Sequence, residues 1–276
     1  MATGDLTRIR TNISALNALN ALGQINQKLT NTNLKLATGK RINSAGDDPA
    51  GLTLWSTLDV RARRIAAAIR NIGDASNVLA IAEGGLASIN ELLTQMGEKI
   101  ILAANDTNGP SERAAIQQEL NQLAEELDAV ATNTQFNGVV LLTVGGLTFQ
   151  VGPDGVNTSR FAMGHAFTSA ALGISTLTVA NQTLASASLG SVNAALNSVK
   201  AALQMVGANL QRMGYKADNL VVSQLNMTAA ASRIMDADLA AEQLEASKLQ
   251  ILQQTATAQL AAANAAPASV LALFRG

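Results

Sequence analysis

The chain has 276 residues, enough for one or two domains. Aromatic residues make up 3% and apolar residues 48%, with Ala and Leu dominant, which favours long helices over a compact mixed core. A formal net charge of -1 excludes the electrostatic footprint of a nucleic-acid or anionic-membrane binder, and zero Cys excludes disulfides and thiol chemistry.

The first predicted element is an uncharged helix: Thr11 to Gln27 carries no charge. The residues before it include Asp5, Arg8 and Arg10, with no apolar core region or small-residue cleavage site. That reads as a cytosolic chain unless a route other than general secretion exports it. Next comes "RINSAGDDPAGLTL", residues 41–54. Asp48 followed by Pro49 is an N-cap and a first-turn proline, so a helix is expected to begin there, with Gly46 permitting the turn before it. Asp47 and Asp48 lack the further oxygen donors that a divalent metal requires, so no metal site is expected. The cap leaves Arg41, Asn43, Ser44 and Asp47 without a role, either solvated or facing a partner.

Three segments then show heptad spacing. The first runs Ile65, Ala68, Ile72, Ala75, Leu79, Ala82, Leu86, Ile89, Leu93, Met96, Ile100, Ala103 in unbroken steps of three and four. The second is Ile116, Leu120, Leu123, Leu127, Val130, and the third is Val192, Leu196, Val199, Leu203, Val206, Leu210, Met213, Ala217, Leu220, less strict onward to Ile234. Sustained alternation of this kind is the seam of a coiled coil. At 1.5 Å per residue the first seam alone predicts a rod of about 58 Å. Between the first two seams, "NDTNGPSE" (105–112) ends one helix, and Ser111 is placed to cap the next, which predicts an antiparallel helical hairpin. In "VVLLTVGGLTFQVG" (139–152), two β-prone runs flank Gly145-Gly146 and predict a β-hairpin.

From Pro153 to Leu189 the pattern fades into Gly, Ser, Thr and Ala, read as loops and short strands, with the returning helix expected near Ser191. Ser and Thr at 157–188 are candidate O-linked acceptors or a plain polar loop. His165, the single His, reads as an ordinary loop residue, so neither a His-based metal site nor a Ser-His-Asp triad is expected. The last element, Leu249 to Phe274, is again uncharged, and its Gln250, Gln253, Gln254, Gln259, Asn264 and Pro267 make it too polar for a membrane span. Of 39 charged residues, 35 lie between Lys28 and Lys248. Uncharged helices stand poorly alone in water, because helix stability comes mostly from burying a face. The two ends are expected to pack on each other, on other copies, or both. The fold class predicted is mainly α: a long antiparallel coiled-coil rod with a small β-hairpin, and N- and C-terminal helices paired.

"RINSAGDDPAGLTL" resembles the N-terminal signature of flagellins. "RTNISALNA", "TQFNGVVLL" (134–142), "FQVGPDG" (149–155), "SRIMDADLAAEQ" (232–243), "QILQQ" (250–254) and "ANAAPASVLALFR" (263–275) continue the likeness in order along nearly the whole chain. The resemblance implies a structural subunit of the bacterial flagellar filament, not an enzyme, with no cofactor. It implies a helical homopolymer, exported by the flagellum's own apparatus with no cleaved signal peptide. The implied partners are the chain itself, that export apparatus, a flagellin export chaperone, the filament cap and hook-associated proteins; the implied location is extracellular. It divides the chain into an inner-tube domain, 1–40 plus 242–276, and a coiled-coil rod domain, 41–241, with a hairpin near 139–151. The uncharged ends are expected to be disordered in the monomer and to fold when buried between neighbours. Arg41, Asn43, Ser44, Asp47 and Asp48 are expected to make intersubunit or interdomain polar contacts.

Two departures stand out. The variable outer domains of the family are missing, which implies a minimal form and a thin, smooth filament. The Arg-rich patch that the vertebrate innate receptor for flagellin reads is replaced in "QMGEKIILAANDTN" (95–108): Gln95, Gly97 and Lys99 stand where the family has Arg, Arg and Leu, although Glu119 matches the family's acidic position. A hook–filament junction protein shares the end-to-end plan, but the "AGL" after the Asp pair and the ending "VLALFR" favour a flagellin. A soluble coiled-coil binding module would explain the heptads but not the uncharged ends. An inserted protease would need a motif such as H-E-x-x-H, which is absent.

Overall fold

The computed structural model describes residues 11–143, 146–161 and 166–273, so His165 and Gly145 lie outside the described residues. Five helices carry most of the chain: α1 Ile13–Thr38, α2 Pro49–Ala103, α3 Pro110–Asn133, α4 Gln182–Met235 and α5 Leu239–Leu273. Four short strands lie between α3 and α4: β1 Gln135–Phe136, β2 Val139–Val140, β3 Leu147–Gln150 and β4 Thr158–Phe161. The described residues form two compact units, one of Arg61–Asn226 and one taking the chain up to Val60 and from Met227 onward.

Arg61–Asn226 is built on the predicted seams. All twelve positions of the first heptad run are buried. Nine of them, Ile72 and the eight from Leu79 to Ala103, are joined by Ile116, Leu120 and Leu127 from α3 and by Val192, Val199, Val206 and Met213 from α4 in one apolar cluster. The remaining positions of those two runs are half-buried at its edge. At about 25 cal/mol per Å² of apolar surface removed from water, this seam is the main stabilising feature of the unit. Phe167, Ile174 and Val179, from the link before α4, are buried in the same cluster. Gln117 ties that link to α3: its Nε2 donates to the Leu177 carbonyl at 2.9 Å, and its Oε1 accepts from the Val179 N–H at 3.1 Å.

Three local expectations are corrected. Among the described residues, which leave out Gly145, no strands pair across the Gly145-Gly146 position. Instead β1 pairs with β2 around Asn137-Gly138, and β3 pairs with β4, both antiparallel. Asn137 and Gly138 have φ of 49° and 78°, the left-handed pair that a two-residue type I′ hairpin demands and that Asn-Gly supplies at least cost. Ser111 does not cap α3. Gly109 is the N-cap and Pro110 opens the helix, where its fixed φ fits and its missing N–H costs nothing. α4 begins at Gln182, not near Ser191, because Asn181 caps it: its Oδ1 accepts the Leu184 N–H at 2.8 Å.

In the terminal unit, α1 starts at its N-cap Asn12, whose side chain accepts from Ala15 N, and ends at Gly39 in the left-handed conformation with φ 68°. α5 starts after Asp238, which caps the Ala240 and Ala241 N–H groups. α1 and α5 pack side by side and antiparallel, as expected for paired ends. Asn12 Nδ2 donates to Ala263 O at 2.6 Å, Gln253 Nε2 to Asn26 Oδ1 at 2.7 Å, and Lys35 pairs with Glu242 at 3.2 Å. No described helix is long and apolar enough to cross a membrane.

Candidate functional site

The segment 39–51 is a turn between two helix ends, and every polar residue singled out in it takes part. Asp47 organises the turn. Its Oδ2 accepts the Asn43 and Ser44 N–H groups at 2.9 and 2.8 Å, and its own N–H donates to the Ser44 carbonyl at 3.1 Å. The backbone N–H of Asn43, then that of Ser44, hold the Asp47 carboxyl below the usual carboxylate range, with a smaller contribution from the Lys35 charge. Asp48 caps α2, accepting the Gly51 N–H at 2.9 Å. Asn43 Nδ2 closes the turn onto the Lys40 carbonyl at 2.9 Å. Ile42 is buried beneath it.

Arg41 faces the end of α4. Its Nε and Nη2 both donate to the Ile234 carbonyl, at 3.2 and 2.9 Å, and its N–H donates to the Met235 carbonyl at 2.7 Å. A helix C-terminus leaves carbonyls without partners, and a guanidinium there satisfies one and opposes the negative end of the dipole. The backbone contact continues as a bridge between Lys40 and Asp236, and the Ala237 N–H donates to the Gly39 carbonyl at 2.9 Å. Lys40 Nζ stands 5.8 Å from the ring centroid of Trp55, the single Trp. Beside the turn lies a cleft of about 520 Å³, lined by Lys28, Lys35, Arg41, Asp48 and Glu245 among others, with charges of both signs around the buried Ile42 and Leu249.

The structure thus brings Arg41, Asn43, Ser44, Asp47 and Asp48 into one turn, bonded within the chain. Sequence reasoning missed the other half of the joint, residues 234–237 and Lys40. "SRIMDADLAAEQ" (232–243) contains residues 234–237, yet a backbone carbonyl as the target of Arg41 leaves no side-chain signal to read.

The helices around the joint expose apolar side chains. Among α1 residues only Thr32 is buried, while Leu16 and Leu19 stand 57% and 55% exposed; in α5 Leu244 is 73% and Ile251 64% exposed. Separately, in Arg61–Asn226, Lys99 of α2 pairs with Glu119 of α3 at 2.6 Å, both partly exposed. Gln95 is exposed on the same side of α2, whereas Gly97 is buried, and a Cβ there would stand 3.9 Å from Val192 Cγ1.

Comparison with known proteins places these features. Residues 9–144 match the family described as the bacterial flagellin N-terminal helical region, and residues 189–274 match the bacterial flagellin C-terminal helical region. The flagellin of Bacillus subtilis is 32% identical, covering 97% of this chain and 100% of its own length. The flagellar filament 33 kDa core protein of Treponema phagedenis is 32% identical over 97% of this chain and 99% of its own. The crystal structure of Bacillus cereus flagellin superposes with a TM-score of 0.50 at 25% identity, covering 59% of this chain and 94% of that one.

Proposed function

The chain belongs to the bacterial flagellin family, and from that premise we propose how its parts share the work of a filament subunit. Its role is structural: it is a subunit of the bacterial flagellar filament and polymerises with copies of itself. Residues 1–40 with 242–276 form the inner tube, and 41–241 form the surrounding shell. The observation that carries this division is the apolar face of α1 and α5, still open to solvent after the two helices have paired. Side chains such as Leu16, Leu244 and Ile251 gain burial only from neighbouring copies, and that gain drives assembly.

The joint at Arg41, Asn43, Ser44, Asp47 and Asp48 holds α1 and α5 in the geometry that neighbours require, and its mixed-charge cleft receives polar groups of an adjacent subunit. Subunits reach the outside of the cell through the flagellum's own export apparatus, escorted by a chaperone. They add beneath the filament cap onto hook-associated proteins. The test is seeded polymerisation of the purified full chain, followed by electron microscopy. Helical filaments that grow from the seeds support the reading; a chain that stays a small oligomer at every concentration and seed dose overturns it.

A further inference from the structure

The helices of Arg61–Asn226 differ sharply in charge. α2 balances five acids against five bases, α3 carries five acids and one base, and α4 carries four bases and one acid. The two unbalanced helices each present an ordered surface. On α3, Glu112, Glu119 and Glu126 recur every seven residues, so they stand in one line along an exposed face; Glu119 is already paired with Lys99, which leaves Glu112 and Glu126 as the acids of the line without an ion pair among the described residues. Ile101 and Leu102 are exposed in the last turns of α2, next to where this line starts.

On α4, Arg212, Tyr215, Lys216 and Leu220 line a groove of about 360 Å³, whose other wall is Gly152, Pro153 and Asn157 from the β3–β4 connection. Arg212 is held in place by a 2.6 Å hydrogen bond from its Nη2 to the Ser159 hydroxyl. Lys216 forms no ion pair among the described residues. Tyr215 is 75% exposed, and Val222 and Leu225 continue its face at coiled-coil spacing, both open to solvent. A fixed guanidinium, an ammonium, an open tyrosine and an apolar flank are the make-up of a protein-binding surface with a polar rim. Nothing within the described chain covers it.

We infer that this groove on α4 is the docking site for the glutamate line of α3 in a second copy of the same chain. The inference rests on the filament reading above and specifies one face pair within it. The two surfaces are opposite in charge and lie on different helices, so the contact is heterologous and propagates from copy to copy, as a helical polymer requires. Like charges set opposite one another at such a contact cost several kcal/mol, so reversing either face alone opposes growth.

The test uses two full-length variants, each checked for an unchanged thermal melt. One reverses the groove, Arg212→Glu with Lys216→Glu; the other reverses the line, Glu112→Lys with Glu126→Lys. Each alone is expected to elongate from seeds at least roughly tenfold more slowly than the unmodified chain. An equimolar mixture is expected to regain growth, because each reversed face then meets its complement on the other variant. Lys216→Glu and Glu126→Lys repeat the design with Arg212–Ser159 and the first turn of α3 undisturbed. Unimpaired growth of the single variants, or a mixture no better than its parts, overturns the pairing. If the unmodified chain also fails to grow, it is the filament reading that falls.

Discussion

The seam of α2 and the apolar positions of α1 draw on the same few residue types, chiefly Ala, Leu and Ile, yet they end in opposite states. Twelve of twelve seam positions from Ile65 to Ala103 are buried within one chain, whereas α1 buries only Thr32 and leaves Leu16, Leu19 and Leu34 about half exposed. The difference lies in partners, not in propensity. The seam of α2 shares one buried apolar cluster with Leu, Ile and Val side chains of α3 and α4. α1 meets α5, whose described side chains bury only Ala246 and Leu249. One region is finished within the monomer, and the other keeps apolar side chains open to solvent, which the proposed filament reading assigns to neighbouring copies.

The largest break in that comparison comes from removing an end. Deleting residues 1–30 or 245–276 is expected to abolish seeded polymerisation while most of the helical signal and the main thermal transition survive. Sedimentation and circular dichroism measure the two outcomes separately. Filaments from either truncated chain would show that the ends are not the coupling element.

Point changes sharpen the contrast. Leu93→Ala, at a fully buried seam position, is expected to destabilise the monomer by about 2–5 kcal/mol, through lost transfer energy and a residual cavity. Leu16→Ala removes as many atoms from an exposed site and is expected to stay within about 0.5 kcal/mol in the same denaturant titration. Its effect belongs to assembly, as a higher critical concentration. If the two variants moved monomer stability equally, α1 would already be packed in solution.

The seam was legible because a 3–4 alternation has one physical reading, and burial followed it position by position. The paired ends were legible from missing charge. The joint was only half legible. Asp48-Pro49 announces a cap, but Arg41 bonds a carbonyl 193 positions away, and no side-chain pattern encodes a backbone target. The hairpin was misplaced because Gly-Gly and Asn-Gly both signal a turn; the steric ease of Asn137 and Gly138 at positive φ settles which one closes a strand pair. Ser111 looked like a cap because Ser is a good one, but Pro110 before it already occupies the first turn.

The joint predicts a pH dependence. The Asp47 carboxyl lies below its ordinary value in the folded chain because it accepts the Asn43 and Ser44 N–H groups. A depressed acid contributes stability that is fully present above its unfolded value, about 3.9, and is lost as pH falls through the folded value. Acid titration is therefore expected to loosen the turn before the seam, read as a change in Trp55 emission as Lys40 leaves its ring, with the helical signal unchanged. Asp47→Asn is expected to remove that early step. An early step that persists in the variant would assign it to another group. Arg41→Ala with Asp47→Ala is expected to weaken filaments more than monomers, since assembly repeats the joint in every copy; equal losses would leave a local cap role alone.

The smallest stability effect is expected at the Lys99–Glu119 pair. With side chains 41% and 51% exposed, the pair is solvent-screened, and Lys99→Leu should change monomer stability by no more than about 1 kcal/mol. Its consequence concerns recognition. A receptor that reads Arg, Arg and Leu here meets Gln95, buried Gly97 and Lys99, and Lys99 occupies the Glu119 carboxylate that an incoming cation would need. We expect weak or absent signalling by the monomer through that receptor. The structure also separates the three positions: Gln95 and Lys99 share an open face, being four residues apart, while Gly97 faces Val192, so Gly97→Arg would drive a charge toward the seam. The informative variant is therefore Gln95→Arg with Lys99→Leu, which frees Glu119 and restores two of the three groups without touching the core. Partial recovery in a reporter-cell dose response is expected from it. Adding Gly97→Arg is expected to lower the melting temperature more than it raises signalling. Unmodified protein as potent as an Arg-bearing flagellin would show that this face does not limit recognition.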